Sequence, residues 1–185
     1  MVRALRDEMA ASAFVPDVAI GIKTGGAVML DYFGSDWPAE LMTCTLGRGS
    51  SGWKARIPGV RQMMGTLPYG LTDLLRRFED ARTGRSVGVI GPEAATRVRT
   101  ELACIARRVR TRGASKVVIV DDAIDSGTTI AYVRDELRRI LPSSVDIRTC
   151  VITQTCVESI IQPDYAIFRG ALCRFHWSHD YRGAS

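Results

Sequence analysis

Apolar and polar positions alternate along this chain in blocks that change period. Ala4 to Phe14 carries apolar residues at helical spacing and stops before Pro16. Asp17 to Lys23, Asp-Val-Ala-Ile-Gly-Ile-Lys, is a short β-branched run that predicts a central strand. A tight turn at Lys23-Thr24-Gly25-Gly26 then leads into a helical pattern from Ala27 to Phe33. Glu40 to Leu46 predicts the next strand, and Gly47 to Lys54 a basic Gly/Ser loop. Leu71 to Arg82 is amphipathic, with Leu71, Leu74, Leu75 and Phe78 on one face. Ser86 to Ile90 reads as a short strand. Pro92 to Arg112 reads as a second helix, with Pro92 in its first turn, Val98, Leu102, Ile105 and Val109 inward, and Gly113 at its end.

The most ordered stretch follows. Val117 to Val120 is an apolar run suited to a strand buried on both faces. Asp121 and Asp122 are expected where that strand ends. Asp125-Ser126-Gly127-Thr128-Thr129 is a small polar turn, and Ser126 to Ile140 a helix with Ile130, Val133, Leu137 and Ile140 inward, stopped by Pro142. Val145 to Thr155 and Pro163 to Phe168 predict two further strands. The tail from Ala171 to Ser185 is rich in Trp, His and Tyr. Strands alternating with helices predict an α/β fold, a doubly wound and mostly parallel sheet with right-handed crossovers. The domain expectation is a single unit over 1–185, with a helical insertion at about 58–113 and a small C-terminal hood at about 156–185.

Ligands of such sheets bind beyond the carboxyl ends of the strands. A small-residue turn opening a helix presents backbone N–H groups and a favourable dipole to a phosphate. Ser126, Thr128 and Thr129 add hydroxyl donors. The acids beside that cradle cannot bind phosphate; they suit ribose hydroxyls, or Mg²⁺ held through water. The implied chemistry is a ribose-5-phosphate site with a metal-bound diphosphate beside it. The plainer alternative is a buried strand that ends in acids before an ordinary helix cap. Similarly, Lys23 to Gly26 taken alone could be a simple strand-to-helix connection.

The run from Val117 to Thr129 closely resembles the signature of type I phosphoribosyltransferases, whose substrate is phosphoribosyl pyrophosphate (PRPP). The likeness is clearest in blocks 17–33, 43–54 and 116–133, and the motifs are closest to the hypoxanthine-guanine branch. It implies a PRPP site formed by Thr24, Gly25, Asp121, Asp122, Ala123, Asp125, Ser126, Gly127, Thr128 and Thr129. Asp121 and Asp122 would also face Mg²⁺. Lys23 and Asp125 would be catalytic, Asp125 by exchanging a proton with the acceptor base; its alternative is a turn-capping aspartate. The family's pyrophosphate loop takes a strained, often cis, peptide, so strain is expected at Lys23–Thr24.

The loop carrying Arg48, Ser50, Ser51, Gly52 and Lys54 resembles the family's lid, the alternative being a surface connection. Pro163 to Phe168 resembles the element that stacks on the purine, with Tyr165 at the matching position, unless it is a core tyrosine. Where 6-oxopurine enzymes carry a lysine, the best match is Gln154, which brings no charge. The reaction expected is transfer of ribose-5-phosphate from PRPP to a purine-like base with release of pyrophosphate. Alternatives are a non-purine acceptor, or a PRPP-sensing protein without turnover.

Composition adjusts this only slightly. The chain has 185 residues, 46% hydrophobic and 24% charged, which fits a globular domain with a sizeable core. Net charge is +5 with Arg far outnumbering Lys, which suits nucleic acid or a polyphosphate substrate equally, while for most of these arginines a solvated basic surface is the preferred reading. Arg97, Arg99, Arg107, Arg108, Arg110 and Arg112 make one helix strongly basic; a solvated face is preferred to a nucleic-acid site. The five cysteines form no CxxC pair, and Cys44, Cys104 and Cys150 read as buried free thiols, which points to a reducing cytoplasm. His176 and His179, without paired cysteines, make a weak metal set. No segment reads as a signal peptide or a membrane span. The expected partners are PRPP and a free base, with a homodimer by family habit; nucleic acid and membranes are not expected.

Overall fold

The computed structural model describes residues 1–46 and 92–177. In chain order these form α1 (Val2–Ala11), β1 (Val18–Ile22), α2 (Gly25–Phe33), β2 (Glu40–Cys44), α3 (Pro92–Arg112), β3 (Lys116–Ile124), α4 (Thr128–Ile140), β4 (Asp146–Gln154) and β5 (Tyr165–Arg169). The expected lid, the helix at 71–82, the strand at 86–90 and the tail beyond 177 lie outside the described residues.

The five strands form one sheet in the order β2-β1-β3-β4-β5, and every pairing is parallel. The chain runs outward from β1 to β2, then returns to β3 on the other side of β1. The order therefore reverses between β1 and β3, the switch point at which open parallel sheets generally form a ligand crevice, at the carboxyl ends of the strands. Both predicted motifs leave the sheet at that point.

Continuous apolar runs explain why β1 and the first half of β3 are central. Every residue of β1 is buried, as are Val117 to Val120 of β3. One face of the sheet packs Ile20, Val117 and Ile119 against Val98, Leu102, Ile105 and Val109 of α3 and Ile130, Val133 and Leu137 of α4. The other packs Ala19, Val118, Val120 and Ile152 against Leu5 and Met9 of α1 and Met29, Leu30 and Phe33 of α2. The later half of the expected insertion is thus a layer of the core. At the amino edge, Asp17 accepts from the Ser115 and Lys116 backbone N–H groups at 2.8 and 2.9 Å, joining β1 to β3.

Several expectations need correction. Strand β3 does not end at the acid pair: it pairs with β4 as far as Ile124, while its pairing with β1 stops at Val120. Asp121 and Asp122 therefore stand where one neighbour has ended and the other continues. Cys104 is exposed, because the inward stripe of α3 passes through Leu102 and Ile105 and leaves position 104 on the outer face. Cys44 and Cys150 are buried thiols as expected. The basic helix is tied into the fold. Arg108 and Arg112 reach Glu40, Arg99 reaches Glu136, and Arg110 donates to the Ile140 carbonyl. Among the described residues no helix is long and apolar enough to cross a membrane.

Candidate active site

The switch-point crevice brings the two glycine-bearing turns against the acid pair. After Ile22 the Lys23 N–H donates to the Cys44 carbonyl at 2.9 Å, and the Lys23–Thr24 peptide is cis. This is the peptide the sequence singles out. Helix α2 then starts at Gly25, and it starts close to β3. A Cβ on Gly25 would lie 2.1 Å from the Asp122 Cγ, and one on Gly26 2.1 Å from the Val120 carbonyl oxygen. Only glycines let the turn approach that closely. The Asp122 carboxylate consequently rests on the Gly25 backbone, so the expected pyrophosphate turn and the expected ribose acids share one wall. Lys23 and Thr24 are exposed beside them.

The two acids are held differently. Asp121 Oδ1 accepts the Asp122 backbone N–H at 3.0 Å. Asp122 Oδ2 accepts the Trp177 indole N–H at 2.7 Å. Asp121 also stands near the buried Cys44 thiol. Burial pushes that thiol up to about 12, Glu101 and Asp121 add to the effect, and Lys23 opposes it. Cys44 is therefore a protonated packing group at neutral pH and no nucleophile. Glu101 of α3 accepts the Thr45 N–H at 2.6 Å, fixing the chain as it leaves β2.

On the other side of the crevice, Gly127 adopts φ +82° and precedes α4, whose N-terminus has no side-chain cap. Glycine is required twice there: by that positive φ, and because a Cβ would meet Ile161 at 2.6 Å. Ser126 Oγ and Thr128 Oγ1 lie 3.0 Å apart, both facing the turn. The Ile160 N–H donates to the Ser126 carbonyl at 3.0 Å, so the loop after β4 buttresses the cradle from behind. Asp125 is exposed at the turn's start, and its carboxylate accepts the Thr155 hydroxyl at 2.5 Å.

Two expected base contacts are not at the crevice mouth. Tyr165 is 3% exposed and turns toward the amino end of the sheet. Its hydroxyl accepts from Arg148 at 2.6 Å and lies 2.7 Å from Ser12 Oγ, and its ring packs against Phe14. It is a core tyrosine, because its phase in β5 faces α1. Gln154 is 1% exposed. Its amide nitrogen donates to the Ser159 hydroxyl, Gln162 Oε1 and the Cys156 carbonyl at 2.8–3.0 Å, and its oxygen accepts from Arg169 at 3.0 Å. Gln154 organises the loop between β4 and β5 and presents no free amide to a base. Arg48, Ser50, Ser51, Gly52 and Lys54 lie outside the described residues.

Trp177 and Thr155 are the site residues that sequence reading missed. Each contacts an acid that is distant in the chain; the aromatic-rich tail marks the neighbourhood of Trp177, but nothing local marks the partner of either.

The described residues contain no cluster of three or more His, Cys, Asp or Glu able to hold a metal. The adjacent carboxylates of Asp121 and Asp122 suit an octahedral cation if it arrives with waters and substrate oxygens.

A phosphate-type cradle, an acid pair and a Lys-bearing turn thus stand together at the switch point of a parallel α/β sheet, where ligands of such sheets generally bind. The family model described as "Phosphoribosyl transferase domain" matches residues 66–180, and the chain belongs to that family. It is therefore a pentosyltransferase by class. No curated protein sequence matches it. Among solved structures, the xanthine-guanine-hypoxanthine phosphoribosyltransferase of Helicobacter pylori aligns over 91% of this chain and 77% of its own, at 11% identity and a TM-score of 0.51. A purine phosphoribosyltransferase from Pyrococcus horikoshii is 16% identical over 91% of this chain and 79% of its own, with a TM-score of 0.47. A hypoxanthine-guanine phosphoribosyltransferase from Bacillus anthracis is 14% identical over 91% and 74%, also with a TM-score of 0.47. The first of these supports the fold assignment and nothing finer.

Proposed function

We propose that the chain transfers ribose-5-phosphate from PRPP to a ring nitrogen of a purine-like base, releasing pyrophosphate. The observation that carries this is the seating of the Asp122 carboxylate on the Gly25 backbone. It supports a single site in which diphosphate and ribose are held side by side.

In this reading Ser126 to Thr129 hold the 5′-phosphate through backbone N–H groups and hydroxyls at the start of α4. Asp121 and Asp122 accept from the ribose hydroxyls, with Ala123 in the same wall. Lys23, Thr24 and Gly25 face the diphosphate. The bond from ribose C1 to the diphosphate oxygen breaks, and a bond from C1 to the base nitrogen forms. The transition state has oxocarbenium character, so positioning and charge stabilisation supply most of the rate. Asp125, aimed by Thr155, exchanges the proton that the acceptor nitrogen must lose. Mg²⁺ fits this site as a companion of PRPP, beside Asp121 and Asp122, and supplies charge neutralisation on the diphosphate. Arg48, Ser50, Ser51, Gly52 and Lys54 are proposed to cover the diphosphate side.

The identity of the base rests on less. Gln154 and Tyr165 are both committed elsewhere, which favours a second reading, an acceptor outside the 6-oxopurines. Nucleotide formation should be followed with PRPP, Mg²⁺ and a panel of hypoxanthine, guanine, xanthine and non-purine bases, with Asp125→Asn as control. Turnover on a 6-oxopurine that collapses in the variant supports the first reading. Turnover confined to other bases supports the second, and pyrophosphate release with neither would contradict both.

A further inference from the structure

The described end of the chain reaches the acid pair. Trp177 reaches back across 55 residues of chain to donate its indole N–H to Asp122 Oδ2 at 2.7 Å. The indole is itself locked in place. It stacks on Phe175 with ring centroids 4.9 Å apart and planes within 4°. His176 meets it edge-on at 4.6 Å, and His176 Nε2 lies 3.0 Å from the Tyr32 hydroxyl on α2. Tyr32 also approaches the Trp177 ring, at 6.0 Å. Phe175 beneath is only 6% exposed and belongs to the core on the α1–α2 face. The N–H is therefore aimed by a packed aromatic base.

Asp122 is confined from two directions, by the Gly25 backbone and by Trp177. An aspartate free to rotate would sample several rotamers and lose that freedom on binding, whereas a carboxylate already oriented gives up less. Each carboxylate oxygen offers two lone pairs, so one accepted N–H orients the acid without consuming it.

We propose that Trp177 is a positioning residue for PRPP: its indole N–H fixes the Asp122 carboxylate in the orientation that accepts a ribose hydroxyl. This rests on the PRPP reading of the site. It makes the tail a part of sugar-phosphate recognition, not of acceptor recognition.

The test compares the full chain with Trp177→Phe, which keeps a stacking ring and loses the N–H, and with Trp177→Ala, which loses both. Calorimetry reports Kd for PRPP with Mg²⁺, and steady-state kinetics report KM for PRPP and for the acceptor separately. A hydrogen bond to a charged group implies a weakening of PRPP binding by on the order of tenfold in Trp177→Phe. The acceptor KM should stay near wild type, and the thermal midpoint should fall only by the few degrees that loss of one partly exposed bond implies. Trp177→Ala should weaken PRPP binding at least as much and also lower the midpoint. A merely structural tryptophan would move stability and both KM values together, with Phe largely rescuing it. Wild-type binding, or tighter binding, by Trp177→Phe would overturn the inference alone, the latter marking the contact as a competitor of the sugar. A wild-type protein that does not bind PRPP would overturn the reading of the site, and the inference with it.

Discussion

Gly25 and Gly26 are adjacent, yet replacing each with alanine should produce opposite phenotypes. In Gly26→Ala the new methyl would stand 2.1 Å from the Val120 carbonyl oxygen, a backbone atom of the central strand. Carbon–oxygen contacts settle near ~3.3 Å, so α2 and β3 would have to separate by roughly 1 Å. Neither can do so without disturbing the core on both faces, which puts the cost at the upper end of overpacking, ~3 kcal/mol. Alanine regains up to ~1 kcal/mol of helix propensity. The net loss should be about 2 kcal/mol of stability, from the difference of those two terms.

In Gly25→Ala the methyl meets the Asp122 carboxylate instead, at 2.1 Å from Cγ, and a side chain can rotate away. The fold loses one charge-assisted bond to Trp177, ~1.5–3 kcal/mol at most and less at a partly exposed site, and regains up to ~1 kcal/mol of propensity. Stability should fall by no more than about 1 kcal/mol. The ribose acid is displaced, however, so PRPP affinity should drop at least ~30-fold, the equivalent of ~2 kcal/mol. Urea unfolding and calorimetry with Mg²⁺ and PRPP measure the two effects separately. If Gly25→Ala is the less stable variant, or binds PRPP like wild type, α2 does not bring Gly25 against the Asp122 carboxylate and Gly26 against β3 in solution.

Other consequences follow from the same contacts. Thr155→Val removes the hydroxyl that holds Asp125 and should lower kcat by about tenfold while sparing the PRPP KM, since a charged hydrogen bond is worth ~1.5–3 kcal/mol; Thr155→Ser should restore most of it, and equal kcat in all three forms would remove Thr155 from the account. Asp125→Asn should reduce kcat by on the order of 100-fold or more with PRPP binding nearly intact, as expected of a lost general acid/base. Stability should also depend on acid pH through Asp17. Burial raises its pKa, but the Lys116 and Ser115 N–H groups outweigh burial and hold it below the usual carboxylate range. Its contribution is then complete above the unfolded-state value of about 3.9 and lost as pH falls through the folded value. Urea midpoints should decline below about pH 4, and Asp17→Asn should be less stable than wild type at neutral pH with a shallower decline; parallel profiles would contradict this.

How much of this was legible in the sequence depended on range. The strands and α3 announce themselves because burial on both faces demands unbroken apolar runs and burial on one face demands a helical stripe. The cradle at Ser126 to Thr129 and the turn at Lys23 to Gly26 were legible for the same reason: glycine, serine and threonine at a strand-to-helix turn act on their own backbone. Whatever depends on phase or on distant chain was not. The motif leaves Tyr165 either a base-stacking residue or a core tyrosine, and its phase in β5 points it at Arg148 and Ser12. Gln154 matches the family's lysine position as an uncharged donor, and the loop that follows it folds back to use its amide. The acids at the end of β3 were clear, but not that β4 would carry the strand on to Ile124. Trp177 with Asp122, and Thr155 with Asp125, join residues that only the completed sheet brings together.

The most direct measurement is a calorimetric titration of the full chain with PRPP in the presence and absence of Mg²⁺, repeated on Gly25→Ala and on Asp121→Asn/Asp122→Asn. One PRPP per chain, bound in a Mg²⁺-dependent manner and weakened in both variants, is what a single site spanning the two turns predicts. PRPP binding that neither variant alters, or no binding to the wild-type chain, would contradict it.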